Sequence, residues 1–206
     1  MKGIITKQAE GGDGTRLLSI FTEEQGIIRA KARCSKKSLT GTQFLCYGDF
    51  ELFGNKAIRT VDTVSPIDTF SDLQADIEKL ALATYLSDCL FTFIQYENPE
   101  PEGYSLFLNS IYALSHLSTP PLKVKAVFEA RMLRIAGFMP DKDSFDCGVE
   151  SFKAFYYAAL CDGKKLYAFD ISDEGQEEFS SIAEIKMIEA LGKTPKSLDY
   201  YKKVKG

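Results

Sequence analysis

The chain lacks tryptophan, has one histidine, and contains no hydrophobic run near the roughly 18 residues that a membrane helix needs. No membrane association is expected. A GxxxxGK[ST] loop is also missing, so ATP binding through a P-loop is not expected. Gly11, Gly12 and Gly14 do not form a GxGxxG pattern ahead of a helix, which argues against a dinucleotide site. The lone histidine, His116, has no nucleophile motif beside it and reads as a structural residue at a helix end. Carboxylates are plentiful, but nothing in their spacing selects a catalytic pair. The chain therefore reads as a binding protein rather than an enzyme. Its five cysteines (Cys34, Cys46, Cys89, Cys147 and Cys161) are odd in number and include no CxxC pair. Reduced thiols in a cytoplasm fit that pattern better than a disulfide framework. Met1 and Lys2 lead straight into a short apolar segment with no leader pattern.

What is present is ordinary for a globular protein: 206 residues, 45% hydrophobic and 26% charged. Such a chain can bury a core without disulfides. Charge is distributed unevenly. Residues 25–60 hold seven cations (Arg29, Lys31, Arg33, Lys36, Lys37, Lys56, Arg59) against Asp49 and Glu51, a net of +5. The whole chain carries -4, so the rest carries -9: a basic patch on an acidic body.

The first 65 or so residues read as five strands, at 3–7, 16–22, 27–34, 43–53 and 56–64, separated by glycine-bearing turns. Five strands with no long helix among them suit a closed OB-fold barrel. The third strand is the most informative. Arg29, Lys31 and Arg33 alternate with Ile28, Ala30 and Ala32, so the cations share one face and the apolar residues the other. Residues two apart on a strand are about 6.6 Å apart, near the phosphate spacing of a nucleic-acid strand. Lys36 and Lys37 extend the charge into the next loop. A phosphate-binding face and a merely solvated outer face fit this pattern equally well.

Beyond residue 66 the pattern turns helical, with Thr69 or Ser71 as N-cap, and the boundary divides the chain into domains 1–66 and 67–206. Residues 98–103 break the first helix. A second helix is expected over 104–117 and a third over 122–137, whose apolar stripe is Val124, Phe128, Met132, Ile135 and Ala136. Lys123, Arg131 and Arg134 lie within about 80° of each other on a different face. Short strands are expected at 154–156 and 166–169. A helix over 174–191 ends at Gly192, and a short last helix opens at Pro195. Cys147 and Cys161 read as thiols rather than as half of a zinc site, because no histidine lies near them.

Five segments, in order, resemble the RecO family: 17–30 (LLSIFTEEQGIIRA), 32–38 (ARCSKKS), 81–88 (ALATYLSD), 128–141 (FEARMLRIAGFMPD) and 192–197 (GKTPKS). The resemblance implies an α+β fold, an N-terminal five-stranded OB-fold barrel followed by a mostly α-helical C-terminal domain. It also implies a zinc knuckle held by two CxxC pairs. Here those pairs read Ser144-Phe145-Asp146-Cys147 and Cys161-Asp162-Gly163-Lys164, one cysteine each, so the insert at about 139–170 is a degenerate zinc-knuckle region. No metal and no cofactor are expected.

For function, the resemblance implies a bacterial DNA repair and recombination mediator, cytoplasmic and nucleoid-associated, without catalytic residues. It would bind and anneal single- and double-stranded DNA, engage RecR, and help load RecA at gaps covered by single-stranded DNA-binding protein. Arg29, Lys31, Arg33, Lys36 and Lys37, joined by Arg16 from the neighbouring strand, would contact phosphates. Lys123, Lys125, Arg131 and Arg134 would rim a site for the acidic C-terminal tail of single-stranded DNA-binding protein. The alternative is an OB-fold protein-interaction scaffold that no longer binds DNA, which the acidic pI of about 5.2 favours.

Overall fold

Strict alternation on the third strand builds the barrel. Ile28, Ala30 and Ala32 are buried while Arg29, Lys31 and Arg33 are exposed. The inward set joins Ile5, Leu18, Ile20, Cys46 and Phe50 in one apolar core. A computed structural model shows this arrangement and describes residues 1–12, 14–33, 41–54 and 57–205. The strands are β1 (Lys2–Glu10), β2 (Thr15–Thr22), β3 (Gly26–Arg33), β4 (Tyr47–Phe53) and β5 (Arg59–Asp68). They close into a barrel of order β1-β2-β3-β5-β4, with β4 returning to pair with β1 and only β3 and β5 parallel. This is the five-stranded barrel expected from the sequence.

Several strand limits differ from expectation: the first strand runs on to Glu10 rather than ending at residue 7, and the fifth begins at Arg59 rather than residue 56. The fourth strand begins at Tyr47 rather than near residue 43, because Leu45 takes a left-handed φ of 66°. Residues 43–46 form turns instead, and their backbone still reaches β1 through Leu45 N to Ile5 O and Ile5 N to Cys46 O. The fifth strand runs through Pro66 to Asp68. Proline is tolerated there because Pro66 sits opposite Gly48, where the register slips.

The chain divides into two units. The first comprises Met1–Ser71 and Ile94–Tyr104, and the second comprises Asp72–Phe93 and Ser105–Gly206. Within the first, the 94–104 segment lies on the barrel's outer side. Glu97 N donates to Ile27 O at 2.9 Å, and Tyr104 meets the Phe21 ring edge-to-face at 5.6 Å. Gly26 permits this approach. Its φ is +67°, and a Cβ there would stand 2.1 Å from Asn98 O.

The second unit is helical: α1 (Ser71–Ala75, starting at the boundary), α2 (Ile77–Phe93), α3 (Pro101–His116, entering from the first unit), α4 (Pro121–Ile135), α5 (Val149–Leu160), α6 (Asp173–Leu191) and α7 (Lys196–Val204). The first expected helix is split at Asp76, whose carboxylate caps α2 by accepting from Glu78 N and Lys79 N. Pro101 opens α3 instead of breaking a helix, since proline suits the first helical turn. Helix α4 is buried on every side from Val124 to Leu133, so it has no solvent face at those positions.

The strands expected at 154–156 and 166–169 are not formed. The first stretch belongs to α5, and the second follows a 3-10 turn at Gly163–Lys165. Helical spacing is what groups Phe152, Phe155 and Tyr156 around Phe145, at 5.4, 4.9 and 5.7 Å between ring centres. Helices α5 and α6 also cap each other. Glu178 of α6 accepts from Gly148 N ahead of α5, and Glu150 of α5 accepts from Ser172 N at the start of α6.

Candidate nucleic-acid interface

The cross-strand register places the outer face of the barrel residue by residue. Arg29 stands opposite Ser19, Lys31 opposite Leu17, and Arg33 opposite Thr15. Lys7 and Ala9 of β1 continue these rows beyond Ser19 and Leu17. The Arg29 Cζ lies 4.2 Å from the centre of the Tyr96 ring, and the Tyr96 hydroxyl is 3.5 Å from Ser19 Oγ. A guanidinium stacked on an aromatic face loses fewer conformations on meeting an anion than a freely rotating one. Arg29, Lys31 and Arg33 therefore form an exposed cationic row on rigid backbone, with the spacing that phosphates need.

The structure does not bring all expected cations to this face. Arg16 sits opposite Ala32, an inward position, and its guanidinium reaches Thr42 Oγ1 at 3.3 Å. It belongs to the mouth of the barrel. Lys36 and Lys37 lie outside the described residues. Tyr96 was not singled out from the sequence. Nothing local marks it, because its role depends on the distant 94–104 segment returning to β3.

In the helical unit, the four cations of α4 have separate environments. Lys125 is buried, with its ammonium 3.0 Å from Glu129 Oε1 and 3.0 Å from Glu184 Oε2. Tyr85 completes the cluster by donating to Glu129 Oε1 at 2.7 Å. Burial holds the Glu129 carboxyl above the usual range, opposed by Lys125 and Tyr85. Burial would lower the Lys125 ammonium, but its two carboxylates outweigh that and raise it. Lys123 donates to the Tyr167 and Phe169 carbonyls and stacks over the Phe169 ring at 4.2 Å. Arg131 is buried and donates to the Cys161 carbonyl and thiol. Arg134 is half-buried near the end of α4. The four do not form one exposed rim.

The residues around the two half-pairs do not fit a four-ligand metal site. Cys161 Sγ lies 3.4 Å from the Arg131 guanidinium, a cation that opposes a metal ion there. Cys147 has its thiol raised by burial and by the Glu178 and Asp146 carboxylates. Among the described residues, no three His, Cys, Asp or Glu side chains gather as ligands. No helix among those residues is long and apolar enough to cross a membrane.

Comparison with known proteins agrees with this architecture. Residues 1–70 match the family described as Recombination protein O N terminal, and residues 74–187 match Recombination protein O C terminal. The chain is similar to a DNA repair protein RecO of Acetivibrio thermocellus, 29% identical over 237 aligned positions that cover 97% of this chain and 94% of that protein. A DNA repair protein RecO of Clostridium novyi is 24% identical over 99% of this chain and 93% of its own length. One from Caldicellulosiruptor saccharolyticus is 31% identical over 68% of this chain and 58% of its own. The barrel, the helical unit and matches to both family descriptions agree, and the chain belongs to the RecO family of DNA repair proteins.

Proposed function

We propose that this protein is a recombination mediator that binds and anneals single- and double-stranded DNA on the outer face of its barrel. The observation that carries the reading is the exposed row Arg29, Lys31 and Arg33 on β3, backed by inward Ile28, Ala30 and Ala32. In OB-folds the face of strands two and three is the usual nucleic-acid surface. Sequence-tolerant binding follows, because cations at phosphate spacing read no base edges. The protein does this without catalysis of its own, in a cytoplasmic, nucleoid-associated setting.

The same reading gives the helical unit to protein partners: RecR, and the acidic C-terminal tail of single-stranded DNA-binding protein, with RecA loaded indirectly. Lys125 is enclosed in its ion pairs, so Lys123 and Arg134, which keep partial exposure, are the cations a tail can meet. The test of DNA binding is fluorescence anisotropy of a labelled single strand with the wild type and with Arg29→Glu/Lys31→Glu/Arg33→Glu. Loss of binding in the variant, with an unchanged fold, is expected. Equal binding would remove the barrel face as the site. No binding by either protein would favour a scaffold that contacts only proteins.

A further inference from the structure

The outer face of the barrel also holds a concavity that shares Arg29 with the cationic row and whose apolar part phosphate binding does not use. A cavity of about 450 Å³ lies over β1, β2 and β3, with Ala9, Leu17 and Ile58 as apolar lining and Lys7, Ser19 and Arg29 as polar lining. Its volume lies within the ~300–1,000 Å³ usual for small-ligand sites. Leu17 is 42% exposed and Ile58 43% exposed, so two large aliphatic side chains face solvent in the middle of a charged surface. Lys31 stands directly across from Leu17, and Arg29 across from Ser19. Further along the same two strands, Phe21 and Ile27 also carry apolar groups, but these are fully buried, and the 94–104 segment bonds to Ile27 O and packs on Phe21. Tyr96 of that segment stacks on Arg29, one of the residues that line the cavity.

We infer that this cavity receives one unpaired nucleobase, while Arg29 and Lys31 hold the phosphates that flank it. The inference rests on the DNA-binding reading above and adds selectivity for unpaired nucleotides. Charge complementarity selects the occupant. The ligand must be apolar and flat where it meets Leu17 and Ile58, and anionic a few ångströms away where it meets Arg29 and Lys31. A nucleotide in a single strand combines those properties in one repeating unit. A base in duplex DNA is stacked and paired, and it cannot enter without being extruded. The aliphatic lining contacts a base without reading its edges, so the site tolerates any sequence.

The test compares, at low salt, two labelled single strands of equal length and charge, oligo-dT and the same backbone with abasic positions throughout, alongside a duplex with the same number of phosphates and therefore half the length. The wild type is expected to bind oligo-dT roughly tenfold more tightly than the abasic strand. Leu17→Ser, a change at an exposed position, is expected to bind oligo-dT about as weakly as the wild type binds the abasic strand, with little further loss on the abasic strand itself. Equal wild-type affinity for oligo-dT and the abasic strand overturns the base site and leaves phosphate binding standing. No binding to any probe is a different result, which removes the DNA reading and the base site with it. An acidic, aromatic-containing peptide that binds the wild type, loses binding in Leu17→Ser, and leaves oligo-dT and abasic affinities equal would assign the cavity to a protein partner and overturn the inference.

Discussion

The Arg29 guanidinium carbon stands 4.2 Å from the centre of the Tyr96 ring. One residue belongs to the barrel and the other to a segment that returns to it after α1 and α2. The contact orients the first cation of the exposed row.

If that orientation matters, Tyr96→Leu should weaken single-strand binding about two- to fivefold, while Tyr96→Phe should bind nearly as the wild type does. The phenylalanine ring keeps the stacked face and loses the hydroxyl that stands 3.5 Å from Ser19 Oγ. Anisotropy titrations of the two variants check this. Equal losses in both would assign the effect to the hydroxyl instead.

Glu129 is the buried centre of the helical unit, and removing it leaves Lys125 with Glu184 alone. Glu129→Ala is expected to cost about 3 kcal/mol, because it strips a partner from a buried charge. Tyr85→Phe should cost about 1–3 kcal/mol by leaving a buried carboxylate oxygen with one donor fewer. Replacing the pair together, as Lys125→Met/Glu129→Leu, should destabilise less than Glu129→Ala. Urea unfolding of the three variants measures the differences.

Acid should loosen α5 and α6. Glu178 and Glu150 are held below the usual carboxylate range, the first chiefly by the Ser151 hydroxyl and the second by the Ser172 hydroxyl, each with a backbone N–H adding to the effect. A carboxylate depressed in the folded state contributes stability that is fully present above its ordinary value of 4.5 and is lost as pH falls through its lowered value. Glu129, raised by burial, acts in the opposite sense. The Glu150→Gln/Glu178→Gln protein should therefore be less stable than the wild type at neutral pH, and the gap should close below pH 4.5. Thermal midpoints measured across that range give the comparison. A constant gap would contradict it.

Much of the barrel was readable because period-2 alternation is a local signal. Arg29, Lys31 and Arg33 face out and Ile28, Ala30 and Ala32 face in. The end of α6 at Gly192, in the left-handed conformation, was legible for the same reason. What escaped depends on distant partners. Lys125 looks like a surface cation until α6 brings Glu184 to it. Residues 154–156 look like a strand until Phe145 and Phe179 supply the ring contacts that a helix face satisfies. The break at Asp76 escaped because Leu73, Ile77, Leu80 and Ala81 keep helix spacing across it. Tyr96 carried no signal before the fold placed it beside Arg29.

The most direct test of DNA binding on the barrel face is the salt dependence of single-strand affinity, measured for the wild type and for Arg29→Gln/Lys31→Gln/Arg33→Gln. Each phosphate neutralised adds about -0.7 to the slope of log K against log salt for a single strand. If all three cations contact phosphates, the wild-type slope should be steeper than that of the variant by about 2. Two parallel slopes would mean that the exposed row on β3 touches no phosphate and that any DNA binding lies elsewhere.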